Sequence, residues 1–283
     1  MELVATYGLN FAYSTATLGL IVLGLAVVFG LLGVMNMAHG EFVMLGAYSA
    51  LMVQQAGLPY VLAIPLALFV CGAFGWLIEW SVIRHLYRRP FDTFLATWGI
   101  AILMRKGVEV TFGREYQSID QSLPGTVEFF GIDYPAYRLV LMALIVALFA
   151  GLFVWYQRSN TGARIKAMVE NPELAAAVGI DTARLSRATF IAGVATAGLA
   201  GVLLAPLVRV EPYMGLDYLL NSFFILVVGG LGTLEGLLTG SGIIGGADVV
   251  ISAIFDKTAG YLGVLTISIL FLWLRPDGIF SRR

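Results

Sequence analysis

The stretch Asn36-Met37-Ala38-His39-Gly40-Glu41 brings an amide, an imidazole and a carboxylate together between two apolar runs, Leu18 to Val34 and Phe42 to Val53. An ionisable group at the centre of a bilayer carries an insertion penalty of about 2.5–3.5 kcal/mol or more, so such groups face a bundle interior or a water-filled path. Tyr48 follows Glu41 by seven residues and would share its helical face. The chemistry these residues offer is passage of a polar solute, and Asn36, His39, Glu41 and Tyr48 are candidate path residues. Thr97, Trp98 and Asn221 are further candidates inside apolar segments. Four have a purely structural alternative. Asn36 and Asn221 are types that cap helices, Glu41 would suit the first turn of a helix, and Trp98 fits an interfacial aromatic belt. Glu79, alone in an apolar run, is expected to snorkel toward the nearer surface.

Catalytic patterns are missing. The sequence has no G-x-S-x-G and no H-E-x-x-H, and none of Lys106, Lys166 and Lys257 follows a glycine as in a phosphate-binding loop. The single cysteine, Cys71, has no partner for an internal disulfide, and with only His39 and His85 a His/Cys zinc cluster is not expected. The chain is therefore expected to be no enzyme and to bind no cofactor; any ATP and Mg²⁺ that drive it belong on another chain. Gly229-Gly230-Leu231-Gly232 lacks the strand–helix setting of a dinucleotide fingerprint. The four-residue spacings Gly232, Gly236, Gly240 and Gly193, Ala197, Gly201 instead suit close packing of helix backbones.

The elements that must hold these residues follow from composition. Of 283 residues, 59% are hydrophobic and 12% charged, against about 25% charged in soluble domains. This implies an all-α, polytopic transmembrane bundle in a lipid membrane, a single domain over 1–283. No basic cluster interleaved with aromatics points to nucleic acid. The first residues lack the basic region of a cleaved signal peptide. Spans of about 20 apolar residues are predicted at 11–34, 38–56, 61–83, 93–112, 137–157, 188–208, 217–235, 237–255 and 259–274, which makes eight to nine crossings. Segments 38–56, 217–235 and 237–255 are short or glycine-rich and are candidates for broken or re-entrant helices.

The basic residues orient the bundle. Arg84, Arg88, Arg89, Arg158, Arg164, Lys166, Arg184, Arg187, Arg275, Arg282 and Arg283 fall on one side; Arg105, Lys106, Arg114, Arg138, Arg209 and Lys257 fall on the other. The richer side is predicted to be cytoplasmic, with the N-terminus outside and the C-terminus inside. Of the two long connections, 113–136 is then external and 158–187 cytoplasmic. In the latter, Arg164 to Glu170 and Glu173 to Val178 read as short helices, divided at Asn171-Pro172, where proline disfavours a helical predecessor. Gly179 suits the end of the second helix.

GVMNMAHGEFVMLGAYSA resembles the pattern N-[LM]-A-H-G-[DE]-[FL]-x-M-[LV]-G-A-Y of ABC permeases of the branched-chain amino acid and urea type. ENPELAAAVGI with DTARL resembles their cytoplasmic loop, SFFILVVGGLGTLEG their glycine-rich late segment and LRPDGIFSRR their C-terminal signature. These motifs run in order from residue 33 to residue 283. The resemblance implies one of two permease subunits of an ATP-driven importer in a bacterial inner membrane. Its partners would be a second, related permease, two cytoplasmic ATPases and a periplasmic substrate-binding protein. Glu170, Glu173, Leu174, Ala177, Val178 and Gly179 would then form the ATPase-coupling element. FLATWGIAILMRK and NSFFILVVGGLG look closer to the urea and short-amide branch, with branched-chain amino acid transport as the alternative. Asn221, where that branch often has an acidic residue, and Glu235, in its glycine-rich setting, depart from the pattern. A transporter driven by an ion gradient, with Glu41 and His39 carrying protons, is the rival of a different class.

Overall fold

In a bilayer, long apolar segments can satisfy their backbone N–H and C=O groups only within helices or closed sheets. The computed structural model describes residues 2–87, 89–120, 123–129, 131–230, 234–275 and 278–280, and it is all-helical but for one hairpin. In chain order the elements are α1 (Glu2–Leu32), α2 (His39–Gln55), α3 (Ala63–Ser81), α4 (Pro90–Phe112), β1 (Thr126–Phe129), β2 (Ile132–Pro135), α5 (Ala136–Arg158), α6 (Asn160–Glu170), α7 (Pro172–Ala177), α8 (Thr182–Leu204), α9 (Met214–Gly229), α10 (Leu234–Ile254) and α11 (Lys257–Leu274). β1 and β2 pair antiparallel, with Thr126 opposite Pro135.

Each of the nine predicted segments falls on a helix, but not all are complete spans. Among the described residues six helical stretches are long and apolar enough to cross a membrane: Ala5–Leu32, Tyr60–His85, Ala136–Arg158, Thr182–Leu207, Glu235–Ile254 and Lys257–Leu274. α2 and α9 have only 17 and 16 residues. α4 is long enough but carries Asp92, Arg105, Lys106 and Glu109. Of the three segments singled out as short or glycine-rich, 38–56 and 217–235 are short helices, whereas 237–255 lies on the full-length α10.

α8 is the hub, packed against α1, α2 and α3. Small residues make this possible, because a side chain at the contact would hold the backbones apart. A Cβ on Gly193 would stand 2.9 Å from the Gly24 carbonyl, and one on Gly201 2.9 Å from Ala47 N. Ala197, between them, is fully buried. Gly240 packs similarly on Gly229 of α9; Gly232 lies outside the described residues. At the end of α8, Pro206 has no N–H to give the Val202 carbonyl four residues back. That carbonyl accepts from the Ala205 N–H and from the Tyr60 hydroxyl, and Tyr137 donates to Leu203 O at 2.8 Å. After α11 the chain returns to α9, where Ile279 N–H donates to Val228 O and Phe280 N–H to Gly229 O. Gly230 and Gly278, both at positive φ, allow that approach.

The 158–187 connection holds two non-spanning helices. α6 starts on Ser159, whose side chain accepts from Gly162 N–H, and α7 on Asn171, which accepts from Leu174 N–H with Pro172 following. The break thus falls at the predicted Asn171-Pro172, while α6 begins four residues earlier than predicted. Gly179, at φ +88°, closes α7: its N–H donates to Ala176 O, and Ile180 N–H reaches Ala175 O.

Candidate functional site

α2 begins in the middle of the bundle. His39 is fully buried, and its Nε2–H donates to the carbonyl of Ile21, well inside the α1 span, at 2.8 Å. The next residue, Gly40, backs directly onto Gly215 at the start of α9. Two short helices therefore meet by their N-terminal ends at depth, the arrangement in which broken helices present partial positive charge inside a membrane protein.

Asn36 does not cap α2, contrary to one sequence-based reading. Ala38 holds the N-cap position, and Asn36 Oδ1 accepts from Ala38 N–H at 3.1 Å, fixing the turn that precedes the helix. Thr97 of α4 supports the same turn: its Oγ1 accepts from Met37 N–H at 3.1 Å. Asn221 is no cap either. It lies half-buried in mid-α9, a helix that begins seven residues earlier. Trp98 is exposed on α4.

Glu41 is 2% exposed and ion-paired with Arg105 of α4, which is 12% exposed. Both Nε, at 3.2 Å, and Nη2 of the guanidinium donate to Glu41 Oε1. Arg105 also lies over the ring of Tyr213, 5.3 Å from its centroid. Further along α4, Lys106 Nζ donates to Glu109 Oε2 at 2.7 Å and to the Tyr213 hydroxyl at 3.1 Å, and Arg114 pairs with the other oxygen of Glu109. Tyr48 shares the α4-facing side with Glu41, as their spacing predicted; its ring meets Phe112, centroid to centroid 4.9 Å. Asn36 Nδ2, His39 Nδ1, Glu41 Oε2 and the Tyr48 hydroxyl are buried and without a hydrogen-bond partner. Glu41 and Tyr48 thus face α4 while His39 turns to α1, and all of these groups retain unused bonding capacity.

Arg105 and Tyr213 were missed in the sequence. By charge count Arg105 falls with the external basic residues. It nevertheless meets the criterion that singled out Glu41, an ionisable residue within an apolar run. Tyr213 gives no local signal. Glu79 does not snorkel: it is 1% exposed, accepts from Arg187 Nε of α8 at 2.6 Å and from the Tyr87 hydroxyl at 3.3 Å. The partner that α8 supplies makes burial preferable to reaching for water.

At the α6–α7 end, Glu170, Glu173, Leu174, Ala177, Val178 and Gly179 are all exposed, while Ala175 turns inward. Among the described residues no group of His, Cys, Asp and Glu could hold a metal ion.

Residues 7–274 match the family described as branched-chain amino acid transport system / permease component. The chain belongs to this permease family. The permease is thus a multi-pass membrane transport subunit and not an enzyme. It is 29% identical to the high-affinity branched-chain amino acid transport system permease protein LivH of Salmonella typhimurium, over 98% of this chain and 96% of the relative. It is 28% identical to BraD of Pseudomonas aeruginosa, over 94% and 92%. LivM of Salmonella typhimurium is 26% identical, over 91% of this chain and 66% of the relative. A solved structure, PsaBC from Streptococcus pneumoniae in complex with Fab, shares the fold at a TM-score of 0.55 and 11% identity, covering 95% of this permease and 91% of that chain.

Proposed function

We propose that the chain is a permease subunit of an ATP-driven importer that carries a branched-chain amino acid across a bacterial inner membrane. Its partners are a second related permease, two cytoplasmic ATPases that bind ATP and Mg²⁺, and a periplasmic binding protein. Residues 1–283 act as one permease domain, with the N-terminus periplasmic, the C-terminus cytoplasmic and 158–187 as the coupling loop. The observation that carries the substrate class is the likeness, across nearly the whole chain, to permeases named for branched-chain amino acids. None of the relatives given above is named for urea. The short-amide reading of residues 93–106 and 221–232 therefore has no support and gives way to its alternative.

In this reading Asn36, Glu41, Tyr48 and Thr97 border the path between α2 and α4, while His39 is turned to α1. Trp98 and Asn221 stand apart from that seam. Reconstitution of the full complex in proteoliposomes tests the proposal. Labelled leucine uptake should require ATP and survive an uncoupler. Uptake that collapses with the uncoupler would favour the ion-driven rival, and uptake of urea with leucine ignored would restore the amide reading.

A further inference from the structure

We propose that Glu41 and Arg105 form the recognition site for the charged head of an α-amino acid, seen here closed on itself. This rests on the substrate class proposed above and names the residues that read it. In the open site the substrate carboxylate takes the place of Glu41 on Arg105, and the substrate ammonium takes the place of Arg105 on Glu41. No covalent step is involved; one ion pair is exchanged for two.

Four observations carry the assignment. The pair is withdrawn from water, with Glu41 at 2% and Arg105 at 12% exposure, and it sits where α2 and α9 begin inside the bundle. Both bonds from the guanidinium to Glu41 go to a single oxygen, Oε1, although its fork suits a bidentate carboxylate. The other oxygen, Oε2, is buried without a partner. A structural ion pair would be expected to use both oxygens, since an unmade buried bond is unfavourable. Finally, α4 has an exposed far side, at Leu95, Trp98, Ile102 and Leu103, and in this chain it packs mainly against α2. The Arg105–Glu41 bond can therefore part through movement of one peripheral helix without opening the core around α8. Tyr213, over the guanidinium, holds Arg105 in place as the pair opens.

The test uses the complete complex, with its ATPases, second permease and binding protein, and compares Glu41→Gln, Arg105→Gln and the double variant. Each single variant should lower leucine uptake by about tenfold or more, because a buried charge loses its partner. The double variant separates recognition from architecture. If the pair is only structural, removing both charges relieves the burial penalty, and uptake returns to within about twofold of wild type. If the pair reads the zwitterion, the double variant stays as low as either single one, while co-purification of all subunits and the thermal midpoint recover. Recovery of uptake in the double variant overturns the site. A wild-type complex that fails to take up leucine or its close analogues overturns the substrate class and the site with it, so the two failures are told apart by the wild-type control.

Discussion

Gly40 and Gly215 meet backbone to backbone: a Cβ placed on Gly215 would stand 2.8 Å from the Gly40 carbonyl oxygen. Neither side has a flexible side chain that could yield. Gly215→Ala must therefore shift α2 against α9, and overpacking of this kind costs about 1–3 kcal/mol. The variant should show a lower thermal midpoint in detergent and reduced uptake. Gly107→Ala in α4, where nothing lies within 4 Å of the added methyl, should be neutral or stabilise by up to about 1 kcal/mol through helix propensity. Equal midpoints for the two variants would refute the close contact.

The Val202 carbonyl, which Pro206 cannot serve, accepts from the Tyr60 hydroxyl beside the Ala205 N–H. Tyr60→Phe should remove one of the two bonds this carbonyl accepts, the other coming from the Ala205 N–H, and destabilise by about 0.5–1.5 kcal/mol. Restoring an N–H at residue 206 offers that carbonyl another donor. The effect of Tyr60→Phe should therefore shrink in a Pro206→Ala background, measured as a shift in thermal midpoint. Additive effects would mean that the tyrosine acts through packing alone.

Much of this architecture is legible in the sequence, because apolar length and helical periodicity act locally. The nine helical segments, the Asn171-Pro172 break and the Glu41–Tyr48 face all follow from nearest-neighbour chemistry. Depth does not. Asn36 and Asn221 look like caps, yet α2 starts at His39 and α9 at Met214, for reasons set by Gly40 against Gly215 across the fold. Pairing is equally non-local. Glu41 with Arg105 and Glu79 with Arg187 are separated by 64 and 108 positions, so a count of charges per loop cannot see them. The C-terminal residues Arg282 and Arg283 and the glycine-rich Gly232 lie outside the described residues.

Glu79 and Arg187 tie α3 to the start of α8, immediately after the α6–α7 unit. Arg187→Gln should leave a carboxylate at 1% exposure with only the Tyr87 hydroxyl. Arg187 is 35% exposed, so losing it should cost less than the roughly 3–5 kcal/mol of a fully buried pair, and loss of both members is milder still. The expected order of thermal midpoints is wild type, then Glu79→Gln/Arg187→Gln, then Arg187→Gln alone. A double variant less stable than Arg187→Gln would show that the two residues do not act as a pair.

In the proposed complex the α7 helix separates docking from folding within a few residues. Ala175 is buried against the chain itself, while Leu174 and Val178 are 62% and 70% exposed and Ala177 is exposed beside them. Among the described residues nothing covers this apolar face. In the proposed complex a groove of the ATPase covers it, and the helix moves as a rigid body when that groove closes. Ala177→Asp then buries an unpaired charge in the contact but touches nothing in the permease itself. It should keep the wild-type thermal midpoint, lose most substrate-stimulated ATP hydrolysis and lose uptake in proportion. Ala175→Asp should do the opposite, lowering the midpoint first, because the charge enters the chain's own interior. If Ala177→Asp leaves stimulated hydrolysis and uptake at wild-type levels, energy enters the permease by some other surface.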